Sequence, residues 1–335
     1  MKEFIINTDE IANLISSLPA DKWDILAPAK DGKSFDYVLS SDKPIINSEA
    51  PPSKISFKEY FFPKSETLFY YKREANEISL TEPKFAEKKL LVLAAKPCDA
   101  ASLPILSKVF NWDYKDEFFN KRVNNSVIIG LSCAYSDESC FCTSVGLDRN
   151  NTKGSDIFLT PFNDKQYVLS VVSDKGDSFV KEFLPNLTEF TGTKETKEFI
   201  DNKPFDYKKT KDWIAANFEN KIWAETGEVC IGCAQCAFVC PTCHCFDIVD
   251  ENCDLNCGRR IKNWDACQFG VFTKHASGHN PRNSQEKRYR QRVSHKFDYY
   301  YEKFGEVLCT GCGRCTRGCP AGIDIGEIVF SISNQ

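Results

Sequence analysis

CIGCAQCAFVCP at 230–241 and CTGCGRCTRGCP at 309–320 are two copies of one pattern, C-x2-C-x2-C-x3-C-P, and their reading decides the fold of the C-terminal part. This is the run that holds 4Fe-4S clusters in bacterial ferredoxins. Three thiols set two residues apart wrap a short loop around one cubane. The fourth, on the following helix and backed by Pro241 or Pro320, turns toward the other cluster. The pattern assigns Cys230, Cys233, Cys236 and Cys319 to one cluster, and Cys309, Cys312, Cys315 and Cys240 to a second. Zinc takes its four ligands from paired CxxC hooks and leaves two complete four-cysteine runs unexplained.

Two other motifs overlap the first run. Cys240-Pro241-Thr242-Cys243-His244 matches the C-x-x-C-H haem attachment signature, but covalent attachment would consume Cys240, and the only methionine is Met1. Cys236, Cys240 and Cys243 spell the C-x3-C-x2-C of radical-SAM enzymes, yet they sit inside a ferredoxin run rather than ahead of an extended α/β barrel.

Upstream, KKLLVLAAKPCDAASLPIL predicts a buried strand over Leu90 to Ala95, a loop with Cys98, and a helix capped by Asp99. SVIIGLSCAYSDESCFCTSVG repeats the grammar: a strand from Val127 to Leu131, then a loop with Cys133, Cys140 and Cys142. If the two strands are parallel neighbours, their C-terminal ends lie together and both cysteine loops meet at one rim. Cys98, Cys133, Cys140 and Cys142 are thus candidate ligands of a third 4Fe-4S cluster. A zinc ion, or buried core thiols, remain the alternatives.

The 335 residues suit about two domains. We place an N-terminal α/β domain at 1–205 and a ferredoxin-like domain at 206–335, with the boundary in the helical stretch from Asp201 to Thr226. The fold class is α+β. Residues 1–80, with turn signals at Asp31-Gly32 and Pro51-Pro52, read as a small α/β or β-rich unit, and Gln166 to Val172 as a strand before a turn at Lys175-Gly176. Seventeen cysteines are too few, and too clustered, for a secreted disulfide scaffold. MKEFIINTDE is not a signal peptide and nothing resembles a membrane span, so the expectation is a cytoplasmic protein with reduced thiols. A net charge of −4 gives no global nucleic-acid footprint.

The stretch between Cys240 and Cys309 is far longer than a simple two-cluster ferredoxin needs, and residues 246–305 are read as a long helical insert. Cys243, Cys245, Cys253, Cys257 and Cys267 fall in this stretch. A further metal site from four of these five is one reading and reduced structural cysteines the other, since the spacings fit no ligand template. Asn283 or Ser284 can cap a helix whose Arg288, Arg292 and Lys296 recur every four residues as one positive stripe. The stripe either faces solvent or an acidic partner, or balances cluster charge. His244, His275, His279 and His295 read as structural histidines, with ligand or relay roles open.

No G-x-G-x-x-G, P-loop, Ser-His-Asp set or HExxH motif is present. A chain that carries clusters without an evident substrate site reads as a wire moving one electron at a time. A stand-alone iron-sulfur enzyme and a nucleic-acid-associated cluster protein are the readings from other classes.

The segments KPCDAASL, CFCTSVG, CPTCHCFD, GRRIKNWDACQF, GHNPR, EKRYRQRVSHKF and CTGCGRCTRGCPAGIDI resemble the iron-sulfur beta subunit of soluble NiFe hydrogenases of the sulfhydrogenase (sulfur reductase) type. They are also similar to the iron-sulfur subunit of the dissimilatory anaerobic sulfite reductase. The resemblance runs from about Leu90 to Glu327 and includes positions between the cysteines. It implies an electron relay linking a FAD- and NAD(P)H-binding subunit to a catalytic one, either the small and large subunits of a NiFe hydrogenase or a sirohaem reductase. GHNPR and YRQRVSHKF are closer to the hydrogenase branch. Cys253 and Cys257 lie outside the shared pattern.

Overall fold

The structure, a computed structural model, describes every residue except 32–33, 41–43, 86 and 195–202, and only the backbone of 31 and 34. The expected turn at Asp31-Gly32 and the start of the helical stretch at Asp201 therefore fall outside the described residues. The mixed α and β architecture expected from sequence holds.

Strand β1 (Glu3–Asn7) ends in a capping box: Asn7 and Glu10 exchange side chain-to-backbone hydrogen bonds at 2.8 Å and start α1 (Thr8–Ser17). Next come β2 (Trp23–Asp31), β3 (Ser34–Leu39), the short helix α2 (Lys58–Phe61), β4 (Ser65–Glu74) and β5 (Glu77–Thr81). The two apolar runs form β6 (Lys89–Ala95) and β7 (Ser126–Leu131), linked by α3 (Pro97–Ala100), α4 (Ser102–Phe110) and α5 (Glu117–Asn124). β8 (Ile157–Pro161), β9 (Gln166–Val171), α6 (Asp174–Phe183) and β10 (Thr188–Glu189) follow.

One eight-stranded sheet takes the order β10-β1-β9-β8-β7-β6-β2-β3. β6 pairs β7 in parallel, and β7 is buried along its whole length, as a strand covered on both faces must be. The C-terminal ends of these two strands do lie side by side. Two local expectations are corrected. Asp99 is not a cap but lies inside α3, fully buried. Lys175-Gly176 is not a turn but the first turn of α6, where Ser173 accepts from the Gly176 N–H at 3.1 Å.

Residues 1–80 are not a unit of their own. β1, β2 and β3 belong to the main sheet, whereas β4 and β5 join the insert. The insert is likewise not simply helical, because it opens with the hairpin β11 (Phe246–Asn252) and β12 (Cys257–Trp264). β12 pairs antiparallel with β4, giving a second sheet ordered β11-β12-β4-β5. Buried Lys262 on β12 reaches Glu66 on β4 at 2.8 Å, and the Trp264 indole donates to the Phe62 carbonyl at 3.0 Å.

The helices of the C-terminal part are α7 (Tyr207–Ala216), α8 (Ile222–Val229), α9 (Gln235–Phe238), α10 (Gln285–Ser294), a π turn (His295–Tyr299), α11 (Tyr300–Phe304), α12 (Arg314–Arg317) and α13 (Ile325–Ser333). Ser284 is the N-cap of α10, accepting from the Lys287 N–H. Trp223, Tyr289, Val293, Phe297, Val329 and Ile332 make one core, and Phe141 from the N-terminal part belongs to it. Among the described residues no helix is long and apolar enough to cross a membrane.

The main sheet and the second cysteine run are joined by a buried ion pair. Arg314 donates to Asp99 Oδ2 at 2.7 Å, to the Ser53 carbonyl at 2.7 Å and to Ser53 Oγ at 2.9 Å. Both side chains of the pair are essentially inaccessible, at 1% and 0% exposure. Removing one partner strands the other charge in the interior, at about 3 to 5 kcal/mol. Arg314→Met is therefore expected to lower the melting temperature of the anaerobically purified chain sharply, and Asp99→Asn combined with Arg314→Met to recover much of the loss. A single variant as stable as wild type contradicts this role.

Candidate metal centre

Each cysteine run is shaped by left-handed backbone at the same two places. Gly232 (φ 69°) and Ala234 (φ 61°) bend the first run, Gly311 (φ 62°) and Gly313 (φ 69°) the second. These bends coil the chain around its own thiols and start α9 and α12, which carry Cys236 and Cys315. Backbone N–H groups then point at sulfur: Gly311 donates to Cys309 Sγ and Ile323 to Cys319 Sγ, both at 3.4 Å.

Two adjoining cavities result. One, with an empty volume of about 450 Å³, is lined by Cys230, Cys233, Cys236 and Cys319, with Tyr289 and Ile325 among its apolar walls. The other, about 300 Å³, is lined by Cys309, Cys312, Cys315 and Cys240, with Phe141 and Lys296. The fourth cysteine of each run faces the first three of the other run. Four soft sulfur donors around a cavity with largely apolar walls fit a 4Fe-4S cubane. Cys315 also touches the first cavity, where the two meet.

The positive stripe is not solvated. Arg292 and Lys296 are buried, at 3% and 2% exposure, and point at sulfur. Arg292 donates to Cys243 Sγ at 3.4 Å and to the Cys236 carbonyl at 2.9 Å. Lys296 donates to Cys240 Sγ at 3.3 Å, Thr242 Oγ1 at 3.2 Å and the Leu308 carbonyl at 2.9 Å. Burial alone would depress the Lys296 ammonium, but the sulfurs of Cys240 and Cys243 outweigh it and its pKa is raised. Burial pushes the Cys309 thiol up to about 12 and Cys315 to about 11, so these groups ionise only against a cation or a metal. Arg288 alone of the three turns elsewhere, to Gln285 and the Arg282 carbonyl.

At the sheet rim, Cys98 is half-buried, within electrostatic reach of Asp99, Arg314, Cys312 and Cys133. Cys133 follows β7, its N–H donating to the Arg149 carbonyl at 3.0 Å. Cys140 faces Asp137 and Arg317. The Cys140–Cys142 loop lies on the second cysteine run: the Phe141 N–H donates to the Gly311 carbonyl at 3.0 Å. A Cβ on Gly311 would stand 2.5 Å from the Cys142 backbone, so this approach requires glycine.

Of the five insert cysteines, Cys253 and Cys257 are joined as a disulfide at the tip of the β11–β12 hairpin, which departs from the expectation of reduced thiols throughout. Cys243, Cys245 and Cys267 converge with His244 and His295 on a third cavity of about 260 Å³. Burial holds His244 down at about 4 and His295 at about 3, leaving both imidazoles neutral. Sequence spacing conceals this convergence because the hairpin creates it. Phe246 pairs with Trp264, so Cys245 just before β11 meets the chain just after β12, where the Asp265 N–H donates to the Cys245 carbonyl at 3.0 Å.

Residues 229–323 match the 4Fe-4S dicluster domain family. Sulfhydrogenase 2 subunit beta of Pyrococcus furiosus is 31% identical over 284 residues, 82% of this chain and 82% of that one. No solved structure matches the chain. The chain carries 4Fe-4S clusters and belongs to the family of sulfhydrogenase beta subunits.

Proposed function

We propose that this chain relays single electrons between a flavin- and NAD(P)H-binding subunit and the catalytic subunits of a NiFe hydrogenase. The crossed arrangement of the two four-cysteine cavities is the observation that carries the reading. Cys230, Cys233, Cys236 and Cys319 would hold one cluster, Cys309, Cys312, Cys315 and Cys240 the second, and Cys98, Cys133, Cys140 and Cys142 a third at the sheet rim. When bound, each cubane takes up and releases one electron at low potential. The protein does the rest. Tyr289, Ile325 and Phe141 keep water out, Lys296 and Arg292 offset thiolate charge, and backbone N–H groups hold the sulfurs in place. Cys233 is exposed beside Ile231, 69% exposed, and Val229, 54% exposed, which brings the first site to a surface a partner can cover.

The relay reading is tested by anaerobic co-purification with the tagged full chain. A NiFe large subunit together with a flavoprotein is expected, and a sirohaem reductase in their place overturns the hydrogenase assignment. Cys236→Ala is expected to remove about four iron atoms per chain, and Cys98→Ala about four different ones. Unchanged iron in the folded Cys98→Ala chain would return the rim cysteines to the role of core thiols. Lys296→Met withdraws one buried positive charge from beside Cys240. At an effective dielectric of about 20 this is worth roughly 2 to 3 kcal/mol, so the second cluster's midpoint potential is expected to fall by on the order of 100 mV. An unmoved potential in redox titration would leave Lys296 a packing role only.

A further inference from the structure

We propose that Cys243, Cys245 and Cys267, completed by His295, hold an additional iron-sulfur cluster inside the insert, beside the site that contains Cys240. Their cavity, like that of the second cysteine run, is lined by sulfurs and by Lys296. Its walls come from four separate pieces of chain: the loop after Pro241, the turn after β12, the junction of α10 with the π turn, and Leu308 just ahead of the second cysteine run. π turns are rare and collect at functional sites.

Spacing selects the kind of metal centre. A tetrahedral zinc ion with Zn–S distances of about 2.3 Å draws its ligand atoms to within roughly 4 Å of one another. Among the described residues, no three ligand atoms from Cys243, His244, Cys245, Cys267 and His295 lie within 4.8 Å of one another. The same holds for the thiols of each ferredoxin run, which are spread to surround a polynuclear cluster. The Cys245 and Cys267 thiols are hydrogen-bonding neighbours, but no third ligand atom of the set joins them as closely as one ion requires.

Charge and chain direction point the same way. Arg292 and Lys296 line this cavity, and two cations this deeply buried require anionic partners. Cys243 and Cys245 flank His244, whose ring also lines the cavity, 5.4 Å from that of His295. His244 Nδ1 is engaged with the Thr242 carbonyl at 3.1 Å, whereas the His295 ring has no such backbone partner among the described residues and is the imidazole assigned to the site. His295 lies three residues beyond Arg292, on the same helical face, and reaches the cavity. The sulfurs of Cys240 and Cys243 are hydrogen-bonding neighbours, which places the new site next to the second one.

This inference rests on the chain being an iron-sulfur protein but not on the rim assignment, and the variants separate the two. In the full chain, purified anaerobically, Cys267→Ala is expected to lose about four iron atoms, with circular dichroism unchanged and the iron lost in Cys236→Ala and Cys98→Ala still present. His295→Cys keeps a fourth ligand, so it is expected to retain wild-type iron while altering one component of the reduced paramagnetic-resonance spectrum. Wild-type iron in folded Cys267→Ala, or loss of one zinc per chain instead, overturns the proposal. Should Cys267→Ala fail to fold, a His295→Cys spectrum identical to wild type overturns it equally. Iron absent from the wild-type chain would sink the relay reading as well, whereas iron lost in Cys236→Ala but not in Cys267→Ala refutes this inference alone.

Discussion

The Asp99–Arg314 pair fixes how the two halves of the molecule meet. Asp99 lies just past β6 on the main sheet, Arg314 opens the helix that carries Cys315, and Ser53 comes from the chain ahead of β4. A charge of either sign left alone in this interior would be costly, so only the docking that joins the three satisfies them. Once they are joined, the Cys140–Cys142 loop is pressed onto Gly311 and Phe141 enters the C-terminal core. The ferredoxin-like part is therefore not a tethered module. Its second cysteine run shares an interior with the sheet rim, which is why Cys98 and Cys312 influence one another although they come from opposite ends of the chain.

The same logic governs α10. Arg292 and Lys296 stand on one helical face, and in isolation such a face belongs in water. Here it is turned inward, onto the sulfurs of Cys243 and Cys240. Buried thiols stay protonated without a cation, and buried cations are unfavourable without an anion; each group removes the other's penalty. Lys58 adds a third cation from the N-terminal part, donating to the Cys243 carbonyl at 2.9 Å and lying 3.9 Å from the centre of the Trp264 ring.

Much of this was legible in the sequence because it is written locally. The cysteine runs announce themselves by spacing, and β6 and β7 by unbroken apolar runs that only a strand covered on both faces can bury. The second sheet was not legible. β11 and β5 are largely exposed, and their alternating apolar residues, Phe246 and Ile248 on one and Ile78 and Leu80 on the other, stand at the surface rather than in a core, so burial does not mark them. What holds the hairpin is a set of cross-strand pairs, Arg259 with Glu251 and Arg260 with Asp250, and such pairs are visible only when the register is known. Pairing of β12 with β4 spans most of the chain, and no local pattern encodes it. Asp99 misled for a related reason: an acidic residue ahead of an apolar helix suits a cap, and only the distant Arg314 gives it a stronger partner.

The hairpin also explains why the insert is long. A short link between the cysteine runs would still fold each run around its own thiols, but it would bring neither the cations of α10 nor the chain after β12 to the sulfurs. The insert leaves the first run and forms a strand pair anchored on β4 through Lys262 and Glu66. It then returns as a helix whose inner face completes the environment of Cys240 and Cys243. Burying that face is favourable because it meets a sulfur that can ionise: the hydrogen bond from Cys243, with Lys296 and Arg292, holds the Cys240 thiol well below its usual range. Packing of the insert and seating of the second run are thus coupled through one side chain, since Lys296 reaches both Cys240 Sγ and the Leu308 carbonyl just ahead of that run.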